Sequence, residues 1–507
     1  MADYRSIASS QAARRASLTV DGVSASSRPG ALDLYRAVWA AGREWTGRRW
    51  VRPSIELGFI VAWLVLRATG DHPTIDAAWT AAAIAVAALS PVSGLVILVG
   101  IAPWDQPLTL GNALGLRHLL VLGLAASAGL RVLLRPSSLP RTQPVAVAFA
   151  LLAITLILGV GWMYAEYGRK VGWESATFWL AGFGGAMIVL LVATWLGYGG
   201  QSRPLWVAII AATVAGALSL ADYLLPGVMR GLPVQALLAD KTFGTRLAGA
   251  IASPNAMVSL LVAPVGVFAA ALVLGRDRWI RVAAAVLLAG LAAAMLLTYS
   301  RSAILALFAI AVLVLWRWRR KVGGVLLLGG LAVGIAIAPA YLQARGSVLG
   351  GDSAVVPGKV LIATDELRIT AWNAASRMFL DRPLTGQGFR SYKKLAPVYG
   401  DAVLGSPHNE WLRLFAEEGI VAGILGLAFV LTIARDLARA PGWLAIGCLG
   451  AFIGWAITAT FNNPFLFLQV NAITFTVAGV MLGLGRRAVD QPDAPADPSP
   501  IPMGAVS

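Results

Sequence analysis

Charged residues are scarce in this chain. They make up 13% of its 507 residues, whereas an ordinary soluble domain carries about 25%. Hydrophobic residues account for 58% and form long runs separated by short polar segments. Because a helix satisfies its own backbone hydrogen bonds in lipid, this composition excludes a soluble enzyme and predicts an all-α polytopic membrane protein.

Cysteine and histidine are rarer still, with one and three residues. The one cysteine, Cys448, lies in an apolar run, so the chain can form no internal disulfide and offers no cysteine-based metal site. His72, His118 and His408 are the complete set of imidazoles, which are the side chains that titrate near neutral pH. The sequence contains no P-loop, no H-E-x-x-H and no paired-aspartate nucleotide motif, so we expect no metal and no cofactor.

Fourteen apolar segments are candidates for membrane helices. Two of them, near 75–89 and 92–103, are short for a hydrocarbon layer of about 30 Å and could instead form a re-entrant pair. We therefore expect about 12–14 transmembrane helices. The other segments lie near 54–69, 112–134, 144–163, 177–196, 204–221, 255–275, 280–298, 303–316, 322–341, 411–434, 442–461 and 465–485.

The formal net charge of +16 would suggest a nucleic-acid partner in a soluble protein. Here the basic residues cluster in alternate loops, which all lie on the cytoplasmic side in this topology, as the positive-inside rule requires, so we expect no nucleic-acid partner. Both termini should then be cytoplasmic. The expected divisions are a basic, disordered segment 1–53, membrane helices 54–221, a core 222–487 and a disordered tail 488–507.

Two long connections, 222–254 and 342–410, fall on the outer side in this topology. Long loops in membrane proteins usually carry function. The second one is basic, which is compatible either with a solvated face or with an anionic ligand outside the membrane. Its basic residues are Arg345, Lys359, Arg368, Arg377, Arg382, Arg390, Lys393 and Lys394.

Three side chains at this outer level are candidates for chemistry. His408 lies between Pro407 and Asn409, where a helix should begin, and is either a base or a hydrogen-bonded helix-end residue. Arg301 lies where two apolar runs almost meet, and either faces a polar partner or snorkels to the interface. Arg246 precedes a glycine and a Pro-Asn pair at the same level. Two guanidiniums and one imidazole would suit a phosphate site with a base.

Four segments containing these residues resemble the O-antigen ligase/polymerase superfamily, and most closely its O-antigen ligases. They are RLAGAIASPN (246–255), TYSRSA (298–303), RITAWNAASRMFLDRPLTGQGF (368–389) and HNEWLRLFAEEGIVAG (408–423). The resemblance implies a bacterial inner-membrane glycosyltransferase with a large, partly helical periplasmic loop. It also implies metal-independent, inverting transfer of a glycan from undecaprenyl diphosphate, with lipid A core as the first choice of acceptor.

The same resemblance implies a role for each residue. His408 would be the general base on the acceptor hydroxyl, and Arg246 and Arg301 would bind the donor diphosphate. Arg368 would support them by ordering the loop, Asn409 by capping the helix, and Glu417 by positioning either the histidine or the loop. Polysaccharide polymerisation and protein O-glycosylation remain alternatives. A lipid-linked-oligosaccharide transporter is a rival from another class, but transporters place ionisable residues near the bilayer midplane and often contain repeats, which this sequence does not show.

Overall fold

The structure is a computed structural model that describes residues 51–69, 73–104, 116–134, 140–229, 246–251, 253–330, 364–400 and 404–491, with Leu232 and Leu238. In these ranges it is helical and contains no β-strand. Eight helices there are long and apolar enough to cross a membrane, and three shorter apolar helices accompany them. The all-α polytopic membrane fold is therefore confirmed, while the full number of crossings stays a prediction.

The described ranges include fifteen helices that form or flank the bundle. Residues 54–507 form one compact unit. Of the second unit, 1–53, only the start of the first helix is described. The helices are α1 (Val51–Thr69), α2 (Pro73–Leu89), α3 (Pro91–Ile101), α4 (Leu116–Leu134), α5 (Gln143–Ile154), α6 (Trp162–Trp179), α7 (Gly185–Tyr198), α8 (Arg203–Leu224), α9 (Pro254–Leu274), α10 (Arg278–Leu297), α11 (Arg301–Trp318), α12 (Thr364–Asp381), α13 (Glu410–Arg439), α14 (Trp443–Phe461) and α15 (Leu468–Asp490).

Helices α9 and α14 are antiparallel neighbours, and their contacts show which helix ends lie at the same end of the bundle. Ser259 Oγ near the start of α9 donates to Thr458 Oγ1 near the end of α14 at 2.8 Å. Further along, a Cβ built on Gly266 would lie 2.6 Å from the carbonyl oxygen of Gly447, so glycine permits the close approach of the two helices. The start of α9 and the end of α14 therefore lie at the same end of the bundle.

That end also holds the turn between α10 and α11 and the start of α13, because successive helices reverse direction. We call it the His408 end, and it comprises 246–254, 298–301, 404–411 and 461–468. The opposite end, which we call the Arg435 end, comprises 140–143, 199–203, 275–278 and 435–443 with the last turns of α15. Among the described residues, basic side chains expected on the cytoplasmic side lie at the Arg435 end: Arg141, Arg203, Arg276, Arg278, Arg435 and Arg439.

The helical run 143–198 reverses direction at Gly168, whose φ of 79° is left-handed. Arg435 Nη1 donates to Gln143 Oε1 at 2.5 Å, and Tyr198 Oη donates to Asp490 Oδ2 at 3.3 Å. Both ends of the run thus lie at the Arg435 end, and its hairpin tip lies at the His408 end. This agrees with the two spans expected at 144–163 and 177–196.

Candidate functional site

Arg246 and Arg301 flank one turn of the backbone. Arg246 Nε donates to the carbonyl oxygen of Thr298 at 2.9 Å, and Leu247 N donates to the carbonyl oxygen of Leu297 at 3.0 Å. Arg301 is the first residue of α11, three positions after Thr298. The structure therefore brings both arginines to the turn between α10 and α11, each with a half-buried side chain.

His408 is half-buried and precedes the first residue of α13 by two positions. Trp372 of α12 holds this stretch, since its indole Nε1 donates to the carbonyl oxygen of Pro407 at 2.9 Å. Arg368 precedes Trp372 by one helical turn, so both lie on the same face of α12. His408 thus has α12 on one side and the start of α13 on the other.

Asn409 caps α13. Its Oδ1 accepts hydrogen bonds from Trp411 N and Leu412 N, both at 3.1 Å, and its backbone is extended, as an N-cap requires. The cap fixes where the helix starts, and it therefore also fixes the position of His408, which immediately precedes the cap.

Side-chain contacts connect the first turn of α13, which follows His408, with the start of α9, which follows Arg246. Trp411 in the first turn of α13 packs edge-on against Trp455 of α14, with ring centroids 6.4 Å apart. One turn after Trp455, Thr458 bonds Ser259 of α9. The segment before α9 contains Arg246, so the three predicted residues share the His408 end through the packing of α13, α14 and α9.

Left-handed backbone occurs at His408 itself and at Tyr299, close to Arg301. Among described residues other than glycine, only Tyr299 (φ 50°), Arg390 (φ 65°) and His408 (φ 50°) have positive φ. Tyr299 lies two positions before Arg301. Such conformations cost of order 1–3 kcal/mol each and tend to cluster at functional sites.

Helix α13 is interrupted at Gly419, which has a φ of 77°. Residues 383–388 fill the break: Gln387 N and Gly388 N donate to the carbonyl oxygens of Ala416 and Glu417 at 3.1 and 2.7 Å. These two carbonyls end the first helical stretch and would otherwise lack partners. The segment 410–418 is therefore a separate helix held by the loop before it, and 420–439 continues into the bundle.

The first stretch of α13 contains a buried ionic cluster that its sequence pattern did not predict. Arg413, whose side chain is 4% exposed, pairs with Glu410 and Glu417, whose side chains are 1% and 2% exposed. Glu410 Oε2 also accepts from Phe465 N at 3.2 Å, and Glu417 Oε1 accepts from Tyr392 N at 3.1 Å. The cluster thus fastens the loop 391–392 and the connection before α15 to α13. Glu417 thereby positions the loop at Tyr392.

The basic residues of the large loop are used in different ways. Arg382 and Arg390 lie near carboxylates of α6, at 3.6 Å from Glu166 and 3.9 Å from Glu174. Burial is the main cause that lowers the pKa of Arg390, while Glu174 and Glu417 oppose it. Arg377, Lys393 and Lys394 are exposed, and Arg345 and Lys359 lie outside the described residues.

A hydrogen-bond cluster closes the end of α12. Tyr399 Oη donates to Asp381 Oδ2 at 2.6 Å, and Gln387 Nε2 donates to the same oxygen at 3.0 Å. These bonds, Tyr399 first, lower the pKa of Asp381. Burial and the nearby carboxylate raise the pKa of Tyr399 to about 12.

Comparison with known proteins identifies part of the chain. Residues 285–427 match a family model described as O-antigen ligase. The match supports the O-antigen ligase superfamily for this matched domain, which covers less than a third of the chain. This domain spans most of α10, all of α11 and α12, and α13 as far as Leu427, so Arg301, Arg368, His408, Asn409 and Glu417 lie inside it and Arg246 lies outside. No curated protein matches the chain.

The superfamily match supports a glycan-transferring membrane enzyme with glycan donor and acceptor substrates. It does not separate ligases from polymerases. His72 lies outside the described residues, and the side chain of His118 is not described. His408 is thus the histidine that the structure and the domain match have in common.

Proposed function

We propose that this protein is an inner-membrane glycosyltransferase that moves a glycan from undecaprenyl diphosphate to an acceptor hydroxyl outside the cytoplasm. The observation that carries the proposal is that His408 and Arg301, both inside the O-antigen ligase domain, lie at the same end of the helix bundle as Arg246. Ligation of O-antigen to lipid A core is the first choice of reaction.

The distribution of charge supports the assignment of sides. At the Arg435 end, arginines flank α8, α10, α11, α13 and α15 at Arg203, Arg278, Arg317, Arg439 and Arg487. Cytoplasmic ends of membrane helices carry such an excess of basic residues. The His408 end would then face the periplasm, where neither ATP nor nucleotide sugars are available, and the donor must already be activated as a lipid diphosphate.

In the proposed reaction the acceptor oxygen attacks the anomeric carbon, and the bond from that carbon to the phosphate oxygen breaks. The diphosphate leaves with the bonding electrons and remains on the lipid. Arg246 and Arg301 stabilise the charge on it, because a guanidinium binds phosphate oxygens through a planar fork. His408 takes the proton of the acceptor hydroxyl, which suits a neutral imidazole. Attack on the side opposite the leaving diphosphate inverts the configuration at the anomeric carbon. The proposed transfer is independent of metal ions.

Polymerisation of a surface polysaccharide, or glycosylation of a protein, would use the same donor and the same residues. The acceptor distinguishes these reactions, so the test supplies a defined undecaprenyl-diphosphate glycan with lipid A core, with a second donor molecule or with a protein. Ligation yields one addition per acceptor, whereas polymerisation yields a ladder of repeat units. Absence of transfer to any of the three acceptors would contradict the proposal.

Arg301→Lys tests diphosphate binding, because it keeps the charge and loses the fork. We expect the donor dissociation constant to rise about tenfold or more, since charge-assisted hydrogen bonds are lost. Arg317→Lys is the matched control, as Arg317 is an exposed arginine at the other end of the same helix. Equal donor binding by wild type and Arg301→Lys would refute bidentate binding by Arg301.

A further inference from the structure

A second basic pocket lies at the Arg435 end, away from the proposed active site. It has a volume of about 380 Å³ and is formed by the start of α5 and the last turns of α13 and α15. Its four arginines, Arg141, Arg435, Arg439 and Arg486, face a single acidic lining residue, Asp436. A single water needs only about 10–15 Å³, so the pocket is large enough for a molecular group.

The arginines are not all neutralised by the protein. Arg435 pairs with Asp436 at 2.7 Å, and Arg486 pairs with Asp490 at 3.0 Å. Arg141 and Arg439 have no carboxylate partner within the described part of the chain, and both are exposed. The pocket therefore has an excess of positive charge that an anion could balance.

Two further features favour a phosphate. The start of α5 faces the pocket at Thr142 and Gln143, so the positive end of the helix dipole adds to the charge of the arginines, while the Thr142 hydroxyl already caps Val145 N. Leu482, Ala440 and Val489 supply apolar wall beside the arginines, where the apolar length of α13 and α15 ends. Basic pockets between helices at this level of a membrane suit the head groups of anionic lipids.

We propose that this pocket binds a phosphate group, presented either by an anionic lipid or as the free ion. It would anchor three helix ends at the face opposite the active site. The proposal does not depend on the glycosyltransferase function, because none of the lining residues lies at the His408 end.

The test titrates the purified full-length protein in detergent with phosphatidylglycerol or phosphatidylcholine and counts bound lipids by native mass spectrometry. The variant is Arg141→Gln with Arg439→Gln. Arg276→Gln with Arg278→Gln is the matched control, because both arginines are exposed at the same end, neither lines the pocket, and the pair removes the same charge. We expect the double variant to bind phosphatidylglycerol about 30-fold more weakly and the control to bind it like wild type.

Two additional measurements identify the source of the phosphate and keep the test valid if the glutamine variant misfolds. If inorganic phosphate displaces phosphatidylglycerol, the free ion suffices; if it does not, the lipid is required. A double Arg→Lys variant at the same positions should retain most binding even if the glutamine variant is unstable. Equal phosphatidylglycerol binding by wild type and the glutamine variant, or equally tight phosphatidylcholine binding by wild type, would overturn the proposal.

Discussion

Removal of Arg413 should be strongly destabilising. It is buried between Glu410 and Glu417: its Nε lies 2.9 Å from Glu410 Oε1, and its Nη1 lies 2.8 Å from Glu417 Oε2. Arg413→Met fills a similar volume but leaves two buried carboxylates without their cation. Removing one partner of a buried ion pair costs about 3–5 kcal/mol, and we expect a loss in this range.

The assay is unfolding of the purified protein in mixed micelles of increasing SDS content. A triple variant, Arg413→Met with Glu410→Gln and Glu417→Gln, removes all three charges and keeps oxygens to accept from Phe465 N and Tyr392 N. It should recover most of the lost free energy, because uncharged buried groups lack the desolvation cost of unpaired ions.

Arg377→Met provides the control for the loss of an arginine, since Arg377 is exposed and should change stability by no more than about 0.5 kcal/mol. The reasoning is refuted if Arg413→Met loses less than about 1 kcal/mol. It is also refuted if the triple variant is as unstable as the single one.

Three further substitutions test the surroundings of the site. Asn409→Ala should cost about 1 kcal/mol in the same unfolding assay through loss of the helix cap, and an unchanged free energy would contradict this. Gly419→Ala should lower the free energy of unfolding by at least about 2 kcal/mol, because φ at this position is 77° and the added Cβ would lie 2.3 Å from a carbonyl oxygen. Gly290→Ala is the control and should not destabilise the protein, because the space around its Cβ is open. Tyr399→Phe should raise the pKa of Asp381 toward its ordinary value. A carboxyl group whose pKa is lowered by folding stabilises the fold at pH values above its ordinary pKa, and this contribution is lost as pH falls through the lowered value. The difference in unfolding free energy between wild type and Tyr399→Phe should therefore become smaller on acidification. A difference that does not depend on pH would contradict this prediction.

The sequence predicts the direction of the helices well because the cost of burying charge in lipid is local. Apolar runs must span, and the arginines after each run must lie outside the hydrocarbon, so Arg203, Arg278 and Arg439 define one end without any tertiary information. The cap at Asn409 is predictable for the same reason, since an N-cap needs only its own helix.

The ionic cluster and the break at Gly419 could not be predicted in this way. Glu410, Arg413 and Glu417 are spaced to share one helix face, a pattern that is more typical of a solvated surface. Their burial depends on distant residues, including Tyr392 and Phe465, and the break at Gly419 depends on the loop 383–388. The E-x-x-R-x-x-x-E-E-G pattern at 410–419 was the available signal.

The most direct test of the proposed mechanism separates donor binding from transfer in the His408→Ala variant. Purified wild type and variant are compared for binding of an undecaprenyl-diphosphate glycan and for the rate of its transfer to a lipid A core acceptor. We predict equal donor binding and transfer slower by at least about 100-fold, as expected for loss of a general base. Transfer at a rate near that of wild type would contradict the role of His408.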